Sequence, residues 1–490
     1  MKPKPAVTDS GFGNYTFLRT GAAGAFLTTA KRASAELPSD ALNVALVGCG
    51  NMGETIVRAT RSSLVPIRWV AFCDILESKP KSFGNKQDHL REANNQSWSY
   101  RHLESMLKEH PEIDAVFIAT PDWLHEPMTT LCLRAGKHVY CEKTMATTVE
   151  GAANMVRAQR ETGKLLQIGY QRRSNPIYQR CHEDLVHRLK ICGRMTHAYT
   201  QYNHGVNVPI RARYTEKQME AISAAGYAGV FEFLNWRHFK KYGPGEFVNL
   251  GGMQVDVLNW FFNTPPSSVM ATGGLDYYKD VALGDKERFS YEHFDNVTAI
   301  FDYDVPENGL VRALCGVQTT NSHQWNYEKL MGVNATITIA ENRGSWDDDL
   351  YLYNRVYREA WDTDLRKWDE QYFTQGYLKK GLDRIHHKFW ERDKTWYEMR
   401  KTFRLEEDQM VVGPSQPLEE YFMPWFLNKP YHTPHIENFL ETVYSGGKQS
   451  DLNCPAEEAY KTTVAVLKAR EIAETKSGKY VFKPEDFVVV

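Results

Sequence analysis

Residues 43–53 read Asn-Val-Ala-Leu-Val-Gly-Cys-Gly-Asn-Met-Gly, and residues 67–74 read Ile-Arg-Trp-Val-Ala-Phe-Cys-Asp. The first five residues are an apolar run of strand length, and Gly48-x-Gly50-x-x-Gly53 ends it. A helical spacing then continues to about Arg61, and Ile67–Cys73 is a second strand ending at Asp74. Strand, glycine turn, helix and strand in this order need three glycines for physical reasons. They permit the tight turn, let the backbone approach a pyrophosphate, and let the helix pack closely on the strand. The helix N-terminus supplies unpaired N–H groups for the phosphates. Asp74 stands 21 residues beyond Gly53, where a carboxylate accepts hydrogen bonds from the adenosine ribose hydroxyls and repels a 2′-phosphate. Ile75 and Leu76 bring no cation, so NAD is expected rather than NADP, held by Gly48, Cys49, Gly50, Asn51, Met52, Gly53 and Asp74.

The alternation continues outward. Leu103–Glu109, Trp123–Arg134 and Thr148–Thr162 read as helices, and Asp114–Ala119, His138–Cys141 and Leu165–Gly169 as strands. Short apolar strands between amphipathic helices predict a parallel, doubly wound sheet. After Arg172 the texture changes. Thr196–Asn203, Ser268–Thr272, Asn296–Tyr303, Gly309–Gln318 and Asn334–Ile339 are strand-like, with helices at Gln254–Phe262, Ile436–Tyr444 and Ala456–Thr475. The expected class is α/β: an N-terminal Rossmann sheet, then an α/β domain with a mostly antiparallel open sheet. At 490 residues two cores are the natural expectation. The chain divides into an arm at 1–36, a dinucleotide domain at 37–170 and a substrate and oligomerisation domain at 171–490. The last carries a polar, aromatic insertion at 341–430 with Trp346, Trp361, Trp368, Trp390, Trp396 and Trp425.

Composition excludes several classes. Lys+Arg (59) and Asp+Glu (61) nearly cancel, so there is no basic field for nucleic acid or an acidic membrane. No apolar run approaches the roughly 20 residues that span a bilayer. The eight cysteines are scattered without a CxxC pair, which predicts free thiols in packing roles and no metal site. Near the N-terminus, Phe17–Phe26 is similar to the second half of a twin-arginine export signal, with Ala33-Ser34-Ala35 as its cleavage site. Asn14 and Tyr15 stand where the two arginines belong, so a degenerate signal and an arm over the body both stay open. Absence of the pair favours the cytoplasm, with the bacterial periplasm as the alternative.

Two further segments fall at strand ends, where open α/β sheets bind their ligands. One is Thr120-Pro121-Asp122-Trp123-x-His125, the other Glu142-Lys143-Thr144. A lysine beside a nicotinamide can hydrogen-bond a substrate hydroxyl and polarise it as hydride leaves. Trp236-Arg237-His238-Phe239 offers a hydrogen-bonding fork beside a stacking face, which suits a polyol.

With these runs in hand the chain resembles the glucose–fructose oxidoreductase / inositol dehydrogenase / MocA (Gfo/Idh/MocA) family. The matching segments are ALVGCGNMG, AVFIATPDWLH, AGKHVYCEK, Gly169-Tyr-Gln-Arg-Arg173, Asp256-Val-Leu-Asn-Trp-Phe-Phe-Asn-Thr-Pro-Pro and His435-x-x-Asn438-Phe-Leu. Thr144 replaces the usual proline after the lysine. The resemblance implies that Lys143 is catalytic, and that Thr120, Pro121, Trp123, His125, Glu142, Lys143 and Arg172 join the glycine loop around the cofactor. It implies substrate contacts from Lys143, Tyr170, Arg173, Trp236, Arg237, Asn249, Met253, Asp256 and His435. The family pattern Asp-x-Gly-x-His-x-x-Asp is altered here, because Asn249 takes the first acid's place and Met253 the histidine's. A methionine carries no proton. His238 is then the first expected substitute and His125 the second, with His204 and His435 behind them.

The expected function is hydride transfer between a pyranoside or polyol carbon and NAD, in a homo-oligomer (dimer or tetramer) whose other partner is a sugar or glycoside. Two alternatives stay open: a glycoside hydrolase that oxidises transiently and recycles its NAD, and an NAD- and sugar-binding protein retired from catalysis.

Overall fold

The computed structural model describes residues 40–80, 98–206, 209–282, 288–343, 352–360, 419–421 and 431–490. The first sheet has six parallel strands: β1 (Leu42–Val47), β2 (Ile67–Cys73), β3 (Trp98–Tyr100), β4 (Ala115–Ile118), β5 (His138–Cys141) and β6 (Leu166–Ile168), ordered β3-β2-β1-β4-β5-β6. Helices α1 (Asn51–Ala59), α2 (Leu103–Glu109), α3 (His125–Arg134) and α4 (Val149–Thr162) make its crossovers. The strand order reverses beside β1, so the connections that leave β1 and β4 run to opposite sides and open a crevice at their carboxyl ends. The central strands β1 and β4 are buried on both faces, which is why they read as continuous apolar runs.

The second sheet has nine strands: β7 (Met195–Asn203), β8 (Ser268–Gly274), β11 (Asn296–Val305), β12 (Gly309–Gln318), β13 (Asn326–Gly332), β14 (Ala335–Arg343), β15 (Leu352–Ala360), β16 (Glu419–Tyr421) and β17 (Lys479–Val481). The numbers β9 (Val281–Ala282) and β10 (Arg288–Phe289) belong to a small separate hairpin. The order is β16-β15-β14-β13-β7-β12-β11-β8-β17, antiparallel except for the β7–β12 pair. Between β6 and β7 lie α5 (Pro176–Arg180) and a π-helical segment, Cys181–Arg188. Between β7 and β8 a cap contains α6 (Glu216–Ala224) and α7 (Val230–Leu234). A wide turn, Phe247–Gly251, then leads into α8 (Gly252–Phe262). After β16 come α9 (Thr433–Tyr444) and α10 (Ala456–Thr475), and α10 packs against α4, α8 and β8.

One apolar core contains Val47, Ile118 and Ile168 from the first sheet and Phe301, Val311 and Ile337 from the second. All eight cysteines are buried and unpaired. Among the described residues no helix is long and apolar enough to cross a membrane. The N-terminal arm, and the aromatic insertion apart from 341–343, 352–360 and 419–421, lie outside the described residues.

Candidate active site

The glycine loop is closed at two corners and open at the third. Gly48 has φ +94°, and a Cβ there would stand 2.5 Å from the Ala119 carbonyl oxygen. A Cβ on Gly53 would stand 2.2 Å from the Gly48 carbonyl oxygen. Nothing lies within 4 Å of the Cβ position of Gly50, the residue that caps the N-terminus of α1. Asn51 is exposed and Met52 half-buried alongside it. Asp74 braces the loop: its Oδ2 accepts from Cys49 N at 2.9 Å and its Oδ1 from Leu76 N at 2.9 Å. Burial pushes the Asp74 carboxyl up, against those two backbone donors. Thr120 Oγ1, at the exit of β4, is buried with no hydrogen-bond partner among the described residues, a condition that a bound ligand relieves. An open cradle at a helix N-terminus, an acid at the ribose position and an orphan hydroxyl fit a dinucleotide.

The cap adds a wall that the sequence did not reveal. Leu76 packs with Ala221, Ile222, Tyr227, Trp236 and Tyr242 of the cap, and Lys217 pairs with Glu77 at 3.2 Å. Between cap and sheet lies a cleft of 340 Å³ lined by Ile75, Leu76, Arg101, Thr215, Lys217 and Gln218, beside Asp74. Trp123 also joins the cap, donating from its ring nitrogen to the Tyr227 hydroxyl at 3.3 Å.

Lys143 leaves the carboxyl end of β5 half-buried. Its Nζ donates to Asn249 Oδ1, and Asn249 Nδ2 reaches Asp122 Oδ2 at 3.4 Å. Asn249 sits in the π-helical turn Phe247–Gly251, a widening that recurs at functional sites. Asp122, Glu142, Arg237 and Glu246 all lie close enough to shift the lysine's proton affinity. Burial lowers the Lys143 pKa, and the neighbouring carboxylates Asp122 and Glu142 work against that. Burial raises Asp122, Glu142 and Glu246 in turn. Glu142 is well satisfied, accepting from the Tyr140 hydroxyl at 3.1 Å and from its neighbour's backbone N–H at 3.3 Å. The arrangement can hold a hydroxyl oxygen at Lys143 with carboxylates nearby to take its proton.

Several expected site residues stand elsewhere. Both ring nitrogens of His125 face carbonyl oxygens, Nδ1 to Thr144 at 2.6 Å and Nε2 to Thr120 at 2.9 Å. Two acceptors call for two N–H groups. Burial disfavours that cation, but Cys141, Asp122 and the Thr144 carbonyl outweigh it and raise the pKa to about 10. His125 therefore braces two strand ends and has no lone pair for a substrate proton. His238 stacks on Tyr291 with centroids 3.7 Å apart, and burial with Arg237 and His293 pushes it down to about 3, too weak a base near neutral pH. His435 is fully buried between Ser174 Oγ at 2.5 Å and the Ile168 carbonyl at 2.8 Å, in the core and not at the substrate face.

Arg172 also points inward, because a buried partner waits for it. It pairs with Glu328 at 2.5 Å and bonds Gln254, while Tyr178 donates to Glu328 at 2.6 Å. Arg173 grips Asp256 with two bonds of 2.8 and 3.0 Å, and Thr462 donates to the same carboxylate at 3.0 Å. Tyr170 and Met253 are packed in the apolar core. Trp236 is buried, with Arg237 exposed over its ring at 4.2 Å and within range of Lys143. Pro121 is half-buried beside Asp122. Three residues of the cluster were missed: Asp122, Glu246 and His432, whose pKa burial and Lys143 lower to about 4. Asp122 lay inside a quoted motif, and Glu246 lies one helical turn before Asn249, a spacing that the sequence does show. His432 had no sequence signal.

A glycine-cradled parallel sheet with a half-buried lysine at its carboxyl edge fits a dinucleotide-binding fold. Comparison with known proteins narrows the class. Residues 42–170 match the family model described as "Oxidoreductase family, NAD-binding Rossmann fold", that of Gfo/Idh/MocA. Inositol 2-dehydrogenase 2 of Saccharopolyspora erythraea is 32% identical over 139 residues, 28% of this chain and 38% of that protein. The chain thus matches under two fifths of the length of such curated relatives. Levoglucosan dehydrogenase in complex with NADH superposes with TM-score 0.59 at 13% identity, over 90% of this chain and 99% of the other. The WlbA dehydrogenase of Chromobacterium violaceum, in complex with NADH and UDP-GlcNAcA, gives 0.58 at 17% identity over 92% and 99%. These two likenesses concern the fold. The likeness to the Gfo/Idh/MocA oxidoreductase family lies in residues 42–170.

Proposed function

We propose that the protein transfers hydride between a secondary carbinol of a sugar or polyol and NAD, with Lys143 holding the substrate oxygen. The observation that carries this reading is Lys143 itself. It sits half-buried at the strand edge that bears the glycine cradle, tethered to the second domain through Asn249 and surrounded by Asp122, Glu142 and Glu246. The cradle would hold the pyrophosphate, Asp74 the adenosine ribose, and Thr120 the nicotinamide side of the cofactor. NAD, when bound, takes up or returns the hydride of the carbinol carbon. Lys143 donates a hydrogen bond to the carbinol oxygen and stabilises the negative charge that grows there, an effect enlarged by its desolvated setting. Arg237, exposed over the buried Trp236 ring, offers a hydrogen-bonding fork to a polyhydroxylated substrate. The inositol dehydrogenase and levoglucosan dehydrogenase relatives support a polyol or sugar substrate.

The test uses the purified full chain with NAD, a panel of polyols and aryl glycosides, and simultaneous readings of NADH absorbance and aglycone release. Sugar-dependent NADH formation is expected. Aglycone release without net NADH would replace this reading with redox-assisted hydrolysis. Tight NAD binding with neither signal would point to a retired site.

A further inference from the structure

We propose that Glu246 is the group that takes the proton from the substrate hydroxyl, in the role left vacant at Met253. This rests on the reading of Lys143 given above. Glu246 lies three residues before Asn249, the lysine's hydrogen-bond partner, so the two side chains leave neighbouring turns of the same segment. Its backbone is fixed in place. Gly245 has φ +89° and a Cβ there would stand 2.8 Å from His293 Nδ1, while His293 Nε2 and the Gly243 carbonyl lie 3.0 Å apart. Among the described residues the Glu246 carboxylate makes no hydrogen bond and no ion pair. Four charged or titratable groups from four different segments lie within electrostatic range of it: Lys143, Arg237, His204 and Asp122. A carboxylate left unbonded in such company is free to bond a ligand.

The other groups in the cluster are less able to serve. His125 has both nitrogens committed, and His238 is stacked away on Tyr291. Asp122 is buried and already accepts from Asn249. His432 is depressed to about 4 by burial and by Lys143. Burial raises Glu246 above the usual carboxylate range, toward the pH at which a general base works best. In the oxidation the carbinol C–H bond breaks with both electrons going to the nicotinamide ring. The O–H proton moves to the Glu246 carboxylate, and the carbon–oxygen double bond forms. The products are a ketone, the reduced cofactor and a neutral Glu246 carboxyl, which releases its proton to solvent. Lys143 keeps its own proton throughout.

Glu246→Gln in the full chain should lower kcat/KM by on the order of a hundredfold, with NAD affinity within a few-fold of wild type. The oxidation rate of the wild type should rise with pH as Glu246 deprotonates, and that limb should vanish in Glu246→Gln. Glu246→Asp should keep part of the rate, and formate should restore turnover to Glu246→Ala. A readout without turnover is infrared titration of the cofactor-free protein. The protonated-carboxyl absorbance that titrates above the ordinary carboxylate range in wild type should lose one component in Glu246→Gln, while the components of Asp74, Asp122 and Glu142 remain. A Glu246→Gln enzyme with normal rate and pH profile overturns this proposal alone. So does a slow variant that keeps the limb and ignores formate, which marks a structural role. A wild type inert toward every polyol and glycoside overturns the reading of Lys143 and this one together.

Discussion

Two groups of buried and half-buried charges sit within the same molecule, and they are built on opposite terms. At Arg172 and Arg173 the ions are matched with neighbours: Glu328 accepts from Arg172 and Tyr178, and Asp256 from Arg173 twice and Thr462. At Lys143 the bonding is sparse. The lysine has Asn249, Asp122 has a long contact of 3.4 Å with the same amide, and Glu246 has none among the described residues. A buried charge with its hydrogen bonds made is a structural member, whereas one left short is held ready for something that arrives later. Charge and burial alone do not separate the two, since Arg172 and Arg173 were expected at the cofactor and substrate. The count of satisfied hydrogen bonds does.

The contrast can be broken most severely at the matched end. Arg173→Met leaves Asp256 buried without its cation, and removing one partner of such a pair costs about 3–5 kcal/mol. Thermal unfolding should show a large fall in Tm, and a variant as stable as wild type would mean that Asp256 takes up a proton or water once the cation is gone. At the sparse end the expected loss is kinetic. Lys143→Met should reduce turnover by on the order of a hundredfold or more, equivalent to about 2.7 kcal/mol, while Tm and NAD affinity stay close to wild type. A fall in Tm comparable to that of Arg173→Met would erase the distinction. The smallest effect belongs to Asp74, whose two backbone bonds already make it partly structural. Asp74→Ser with Ile75→Arg should shift the NAD-over-NADP preference by roughly tenfold, about 1.4 kcal/mol. Equal binding of both cofactors by the wild type would remove Asp74 from the selectivity.

The first sheet was legible nearly strand by strand because burial on both faces leaves an unmistakable apolar run. Lys143 was legible from its place at a strand end. β13 was not, and Glu328 explains why. Its inward positions are Asn326, Glu328 and Leu330, so the buried face is as polar as the outer one. That polarity makes sense only beside Arg172, which is 156 residues away in sequence. The same long-range pairing defeated the functional reading of Arg172. β3 was missed because three residues, two of them exposed, carry no periodicity. Glu246 was passed over because the altered family pattern drew attention to what Met253 lacks rather than to the helical turn before Asn249.

The common core has a mechanical consequence. Val47 and Ile118 on one side and Phe301 and Val311 on the other belong to one continuous apolar body, and α10 lies against elements of both halves. Prising the halves apart like a hinged shell would wet that body, at roughly 25 cal/mol for each square ångström opened. The molecule has no cheap plane of cleavage. The 340 Å³ cleft, lined by Ile75 and Leu76 on one side and by Thr215, Lys217 and Gln218 of the cap on the other, can then be filled or emptied without parting the body beneath.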